Sequence, residues 1–379
     1  MGGRLLGARG CRYLCILAVF AFVRLVQPET AFADDAADPA ADPTPAGDSA
    51  PPSTSGPTGD PAPSGQTGTF TFQIENDLIA NADRNYTSGV RIGWTSPALR
   101  NQLQWVGDAL EWIYPFDADA DARVGIHLGQ SIYTPEDLSK SNLIEDDRPY
   151  AGWLYIGVTL NAEADQEILT MPFDTLDKLE LDLGMVGPAS LAEQTQRFVH
   201  KYSDSPDPKG WDNQLDNEPG VVLMFERNWR SPAHDFGGLP VEADFIPTAG
   251  VSLGNVNTSA SVGSILRFGQ GLEGDYGPPL IQPNLAGVTY IDRVEAGYAW
   301  YIFGGFGGTF VARNIFLDGN TFSDSHSVDK KLLVGSATAG LAVAWRGARL
   351  ALTHVWRTKE FDGQDQPDRF GSLSVSVRF

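Results

Sequence analysis

Apolar and polar residues alternate along most of the chain from residue 68 to residue 379, with the period of two expected of strands whose two faces differ. Phe70, Phe72 and Ile74 alternate with Thr71, Gln73 and Glu75, and Val90, Ile92 and Trp94 alternate with Gly89, Arg91 and Gly93. The pattern predicts strands over 68–77, 86–96, 122–133, 151–162, 177–186, 219–230, 240–254, 257–269, 293–316, 331–346, 348–358 and 370–379. One face of each is apolar; the other carries Gly, Ser, Thr or charge. That is the pattern of a transmembrane antiparallel β-barrel with lipid outside and a polar lumen, and the segments have about the 9–11 residues needed to cross a bilayer. A soluble β-sandwich also alternates, but its outward faces would not hold so many small residues beside an apolar face of this length.

With both barrel ends on one side of the membrane the strand number must be even. We therefore read 293–316 as one strand with a glycine bulge at Gly304, Gly305, Gly307 and Gly308, which gives twelve strands. The expected fold is all-β, with short helices in loops. Leu99 to Ile113 has helical spacing of its apolar residues and predicts an amphipathic helix against the membrane. Ser190 and Glu193 read as a capping box that opens a second helix, over the mouth, running to about Tyr202. Gln196 and His200, four apart, share a face of it. The long connections 97–121 and 270–292 fall on the periplasmic side, against the habit of such barrels, and alternation gives no account of the second.

Residues 1–33 have the three parts of a signal peptide: Arg4, Arg9 and Arg12, an apolar run from Tyr13 to Val23, and Ala31-Phe32-Ala33. Both cysteines, Cys11 and Cys15, lie in that segment, so the expected mature chain has no disulfide and no thiolate chemistry. Residues 34–67, almost wholly Asp, Ala, Pro, Thr, Ser and Gly, read as a disordered tether. Without residues 1–33 the chain has 23 basic and 47 acidic residues, a net charge of −24, which argues against nucleic acid as a partner.

Candidate chemistry concentrates in two connections at one end of the barrel. Asn76, Asp77, Asn81, Asp83, Arg84 and Asn85 crowd the loop after the first strand, where a solvated turn is the competing reading. The other connection holds Gln196, His200 and the compact run Lys209-Gly210-Trp211. Of the five histidines, His127 is as good a candidate by residue type, since alternation turns it into the lumen. No G-x-S-x-G elbow is present to support a serine triad.

Several motifs in order resemble the LpxR-type outer-membrane lipid A deacylases: Glu75-Asn76-Asp77 with Tyr86-Thr87-Ser88-Gly89; Asp147-Arg148-Pro149-Tyr150-Ala151-Gly152; Gly187-Pro188 followed by Gln196 and His200; Lys209-Gly210-Trp211; and Arg313 to Asn320. The resemblance covers residues 68–379. It implies a twelve-stranded barrel that hydrolyses the 3′-acyloxyacyl ester of lipid A, requires calcium, and opens its site to the cell exterior. By matching position the site corresponds to Asn76, Asp77, Thr87, Lys140, Gln196 and His200. His200 would take a proton from water near neutral pH, with Gln196 orienting the water or the imidazole. Asp77 would hold calcium, Asn76 and Thr87 would donate to the oxyanion or ligate metal, and Lys140 would meet a substrate phosphate. One position departs: the family's acidic residue six after the histidine is Pro206 here, flanked by Asp204 and Asp207. Alternation also turns Asp77 inward and Asn76 outward, so joint use of both requires a bulge at the strand end. A phospholipase or other acyl-ester hydrolase of the same design, and a non-enzymatic porin or adhesin, are the alternative functions.

Overall fold

The computed structural model describes residues 68–77, 85–99, 120–168, 171–203, 207–281, 289–291 and 297–379. The signal-peptide and tether readings, residues 100–113 of the amphipathic helix, and Asp204 and Pro206 lie outside them. Twelve long strands form the wall: β1 Thr69–Asn76, β2 Asn85–Thr95, β3 Asp121–Thr134, β4 Ala151–Ile168, β5 Met171–Val186, β6 Glu218–Arg230, β7 Glu242–Gly254, β8 Asn257–Gln270, β9 Tyr298–Asn314, β10 Leu333–Trp345, β11 Ala348–Arg357 and β12 Asp368–Arg378. Each is antiparallel to its sequence neighbours, and β1 pairs with β12 from Thr69↔Arg378 to Asn76↔Gly371, closing the ring. A two-residue strand, His234–Asp235, adds to the edge of β7.

Burial is inverted relative to a soluble protein. On β3 and β4 the residues Ile126, Leu128, Ile156 and Val158 are more than half exposed, while Arg123, His127, Thr159 and Asn161 are buried. A sandwich would bury the first set; a closed wall in lipid exposes it.

Two details differ from the alternation. Residues 163–168 and 171–176 are strand rather than loop, because β4 and β5 continue pairing from Glu163↔Leu176 to Ile168↔Met171, and the Thr175 hydroxyl donates to the Ala164 carbonyl. Their charges read as a loop, yet the ladder needs only backbone groups. The glycines of β9 are not a bulge either: pairing with β10 runs unbroken through Gly304 to Gly308, and the shift against β8 lies between Val311 and Arg313. A side chain at Gly305 would stand 2.6 Å from the Ser264 carbonyl, so there glycine serves close strand approach.

A segment of the chain occupies part of the lumen. After β8 the chain turns at Gly271 (φ 72°), makes a 3-10 turn over Leu272–Gly274 and enters the barrel. Asp275 anchors it, accepting from Arg267 Nη1 at 2.6 Å, Arg349 Nη1 at 2.5 Å and the Tyr301 hydroxyl at 3.0 Å. Further along, Gln73 Nε2 donates to the Pro279 carbonyl at 2.9 Å and the Ile281 amide donates to Glu75 Oε1 at 2.8 Å. Glu75 is next to the last residue of β1, so the segment climbs most of the barrel's height. Leu272, Tyr276 and Tyr290 pack with Tyr301 and Phe303 in a lower apolar cluster; Tyr133, Trp153, Tyr155 and Phe316 form an upper one, and Leu280 touches both. The connection that alternation left without an account is an internal plug over residues 271–281.

Candidate active site

At the end of the barrel opposite Thr69 and Arg378, the connection after β5 folds back onto the outside of the wall. Gly187 (φ 91°) and Leu191 (φ 60°) bracket a 3-10 turn over Pro188–Ser190, and the helix α1, Ala192–Ser203, follows. The capping box is not formed. The Ser190 hydroxyl donates to the Gly187 carbonyl at 2.6 Å, the Thr195 amide donates to the Leu191 carbonyl at 3.0 Å, and Glu193 pairs with Arg197 at 2.9 Å. A turn that must reverse the chain uses Ser190 to close itself, two residues before the helix opens at Ala192.

Helix α1 lies against the outer face of β3 and β4 rather than across the opening. Gln130 and Gly152 share the outward parity of Leu128 and Ile156; Gln130 Nε2 donates to the Ser190 carbonyl at 2.6 Å. A side chain on Gly152 would stand 2.1 Å from Ala192 Cβ and 2.2 Å from Ser190 Oγ, so glycine is what lets the helix approach. Ile132, Leu138, Tyr150, Ala192 and Trp211 pack beneath it.

Ala192, Gln196 and His200, spaced by four, are 1%, 2% and 6% exposed, whereas Phe198 and Tyr202 on the other side are 64% and 54% exposed. The helix thus buries its two candidate residues. Trp211 Nε1 donates to Gln196 Oε1 at 2.8 Å. Trp211 comes from the run quoted above, but no spacing rule pairs it with Gln196; only the folded loop does.

The first hairpin contributes at the same end. Asn76, of outward parity, donates through Nδ2 to the Thr87 carbonyl at 3.0 Å, and the Thr87 and Thr134 hydroxyls are 2.7 Å apart. The bulge expected at the end of β1 is on β2 instead: β1 pairs regularly to Asn76, while pairing of β2 with β3 skips Thr87, between Tyr86↔Tyr133 and Ser88↔Ile132. Asp77 follows β1 directly and is 1% exposed. Lys140 stands apart from these buried groups, its exposed ammonium 3.8 Å from Asp137. The Ser139 hydroxyl and amide hold the Asp137 carboxyl below its ordinary range. Asp207, one candidate to replace the acidic residue, is exposed and lies 3.6 Å from Arg197.

His127 is elsewhere, in the lumen. Its Nε2 is 2.8 Å from Asp182 Oδ1, Arg91 Nη2 is 2.9 Å from its Nδ1, and Arg91 Nη2 is 2.8 Å from Glu180 Oε1. Gly157 leaves the room, since a Cβ there would meet Asp182 and His127 at 2.0 and 2.2 Å. Among the described residues His127, Glu180 and Asp182 form the group with metal-ligand geometry. The Arg91 guanidinium already contacts His127 and Glu180, and the group is an internal ion network of the wall.

The model of the family "Outer membrane protein LpxR" matches residues 39–379. Among solved structures, LpxR from Salmonella typhimurium aligns with a TM-score of 0.64 at 19% identity, covering 82% of this chain and all of that one. The β domain of the Bordetella autotransporter BrkA aligns at 0.39 and 11% identity over 83% of this chain and 99% of that one. The translocator domain of NalP from Neisseria meningitidis aligns at 0.34 and 11%, over 83% and 88%. No curated protein matches the chain. A closed twelve-stranded barrel with an apolar exterior, matched by this family over nine-tenths of its length, belongs to the LpxR family of outer membrane proteins.

Proposed function

We propose that this chain is a lipid A deacylase whose site lies at the exterior end of the barrel, between α1 and the outer wall, and which hydrolyses the 3′-acyloxyacyl ester. The observation that carries the reading is the burial of His200 and Gln196 on the wall-facing side of α1. A catalytic pair on the outside of a barrel is reached from the membrane, where the acyl chains of a lipid substrate already lie. The plug weighs against the porin reading, because a channel needs an open axis.

In this reading a water bound between α1 and the wall attacks the ester carbonyl. His200 takes the water's proton as the new C–O bond forms, and returns it to the leaving alkoxide when the tetrahedral intermediate collapses. Donors aimed at the carbonyl oxygen lower the barrier as negative charge develops there. Asn76, whose Nδ2 donates to the Thr87 carbonyl, and the buried Asp77 that follows it in sequence each carry a side-chain oxygen. These hard oxygen donors fit calcium better than a softer ion. Calcium, when bound, supplies positive charge for the carbonyl oxygen. Lys140, exposed and in weak contact with Asp137, is suited to a substrate phosphate as a point charge.

The test is mass spectrometry of lipid A from cells carrying the wild type, His200→Ala or His127→Ala, with and without a calcium-selective chelator in the extracted enzyme. Loss of a general base costs about 10²- to 10⁴-fold. We expect that loss in His200→Ala, a smaller one in His127→Ala, and activity restored by calcium after chelation. A folded His200→Ala that turns over like the wild type refutes the water-activation step. Release of acyl chains from glycerophospholipid alone would instead support the phospholipase alternative.

A further inference from the structure

Gln196 is more narrowly defined by its surroundings than a solvent-facing glutamine. The two ends of a side-chain amide are alike in shape, and only hydrogen-bond partners decide which is oxygen. Here the partner is unambiguous, because an indole N–H can only donate. Trp211 Nε1 lies 2.8 Å from the amide, so the atom facing it is Oε1 and Nε2 faces away. Nε2 is fully buried and has no hydrogen-bond partner among the described residues. A buried N–H left unmatched costs free energy, which a site tolerates when a ligand supplies the acceptor.

Trp211 is itself held firmly. It is 1% exposed, starts the 3-10 turn Trp211–Asn213, and lies against Tyr150 with ring centroids 5.0 Å apart. Gly210 before it permits that contact, since a Cβ would stand 2.5 Å from the Tyr150 ring. The indole is therefore a fixed donor on a packed turn. Gln196 lies one helical turn before His200, on the same buried face.

We infer that Trp211 is a positioning residue that turns the Gln196 amide so that Nε2 is presented as a donor to the ester carbonyl oxygen; this rests on the ester-hydrolysis reading above. Gln196 then acts through its N–H, and its oxygen is committed to the indole rather than to a cation or the imidazole. Trp211 never touches the substrate.

The experiment is a double-mutant cycle with purified, folded enzyme on lipid A, reading kcat and KM separately. Removing one oxyanion donor costs about 10²- to 10³-fold in kcat. Gln196→Ala should lose that much with KM nearly unchanged. Trp211→Phe, which keeps a ring but deletes the N–H, should lose about tenfold or more in kcat, since the amide is then free to turn. The double variant should be no slower than Gln196→Ala alone, because the indole has nothing left to orient. Gln196→Glu keeps an acceptor for the indole but has no N–H, and should be as slow as Gln196→Ala. Wild-type kcat in Trp211→Phe, or losses that multiply in the double variant, would overturn the inference. If Trp211→Phe fails to fold, Gln196→Glu decides: near-wild-type turnover overturns the donor role. No release of acyl chains from lipid A by the folded wild type would instead strike the ester-hydrolysis reading, independently of these outcomes.

Discussion

Replacing Asp275 with alanine should release the plug. Asp275 joins three wall residues to the inserted segment, through Arg267, Arg349 and Tyr301. Arg267 would keep its two hydrogen bonds to Asp244, so the larger loss falls on Arg349, whose 2.5 Å bond to the carboxylate disappears. Removing one member of a buried ion pair costs about 3–5 kcal/mol, because the other stays buried without that counter-charge. With Arg267 still paired, the lower end applies. About 3 kcal/mol is roughly a 100-fold rise in the fraction of molecules with the segment displaced. The wall should survive, since its ladders do not pass through residue 275. The assay is single-channel recording in planar bilayers, on protein whose folding is checked by heat-dependent gel mobility. The wild type should be silent and Asp275→Ala should show brief openings, with Asp275→Asn between them because it keeps an acceptor. A folded Asp275→Ala as silent as the wild type, or a wild type that conducts steadily, would refute the sealing role given to residues 271–281.

Gly152→Ala should push α1 off the wall, since its Cβ would meet Ala192 at 2.1 Å; overpacking of about 1–3 kcal/mol falls on the helix, so deacylation should drop while the heat-shift temperature stays put. Burial pushes the Tyr150 hydroxyl up to about 12. The folded state then favours the neutral phenol: its contribution is whole below pH 10, the ordinary value, and is lost as pH rises through 12. Thermal stability of the wild type should fall across that window more than that of Tyr150→Phe, and parallel curves would show that the hydroxyl is not linked to folding.

Alternation was enough to find the wall because a barrel in lipid asks one thing of every strand, an apolar outer face, and that demand repeats every second residue. Ile126, Leu128, Ile156 and Val158 announce it, and the twelve strands and their parity follow. Strand ends were less legible: residues 163–168 and 171–176 look like a loop, yet pair, because the ladder continues through backbone groups that side-chain polarity does not report. Asn76, Asp77, Thr87, Lys140, Gln196 and His200 were singled out by motif, but the motif does not say which side of the wall they occupy. Only the tertiary structure decided that α1 docks outside, because the decision rests on a missing side chain at Gly152 meeting Ala192 forty residues later. The same holds for the indole of Trp211 on Gln196, and for the plug, whose anchor joins Asp275 to Arg349 across 74 residues. These contacts link chemically unlike residues at no fixed spacing, so local pattern carries no trace of them; they exist once the closed wall has fixed which residues can reach each other.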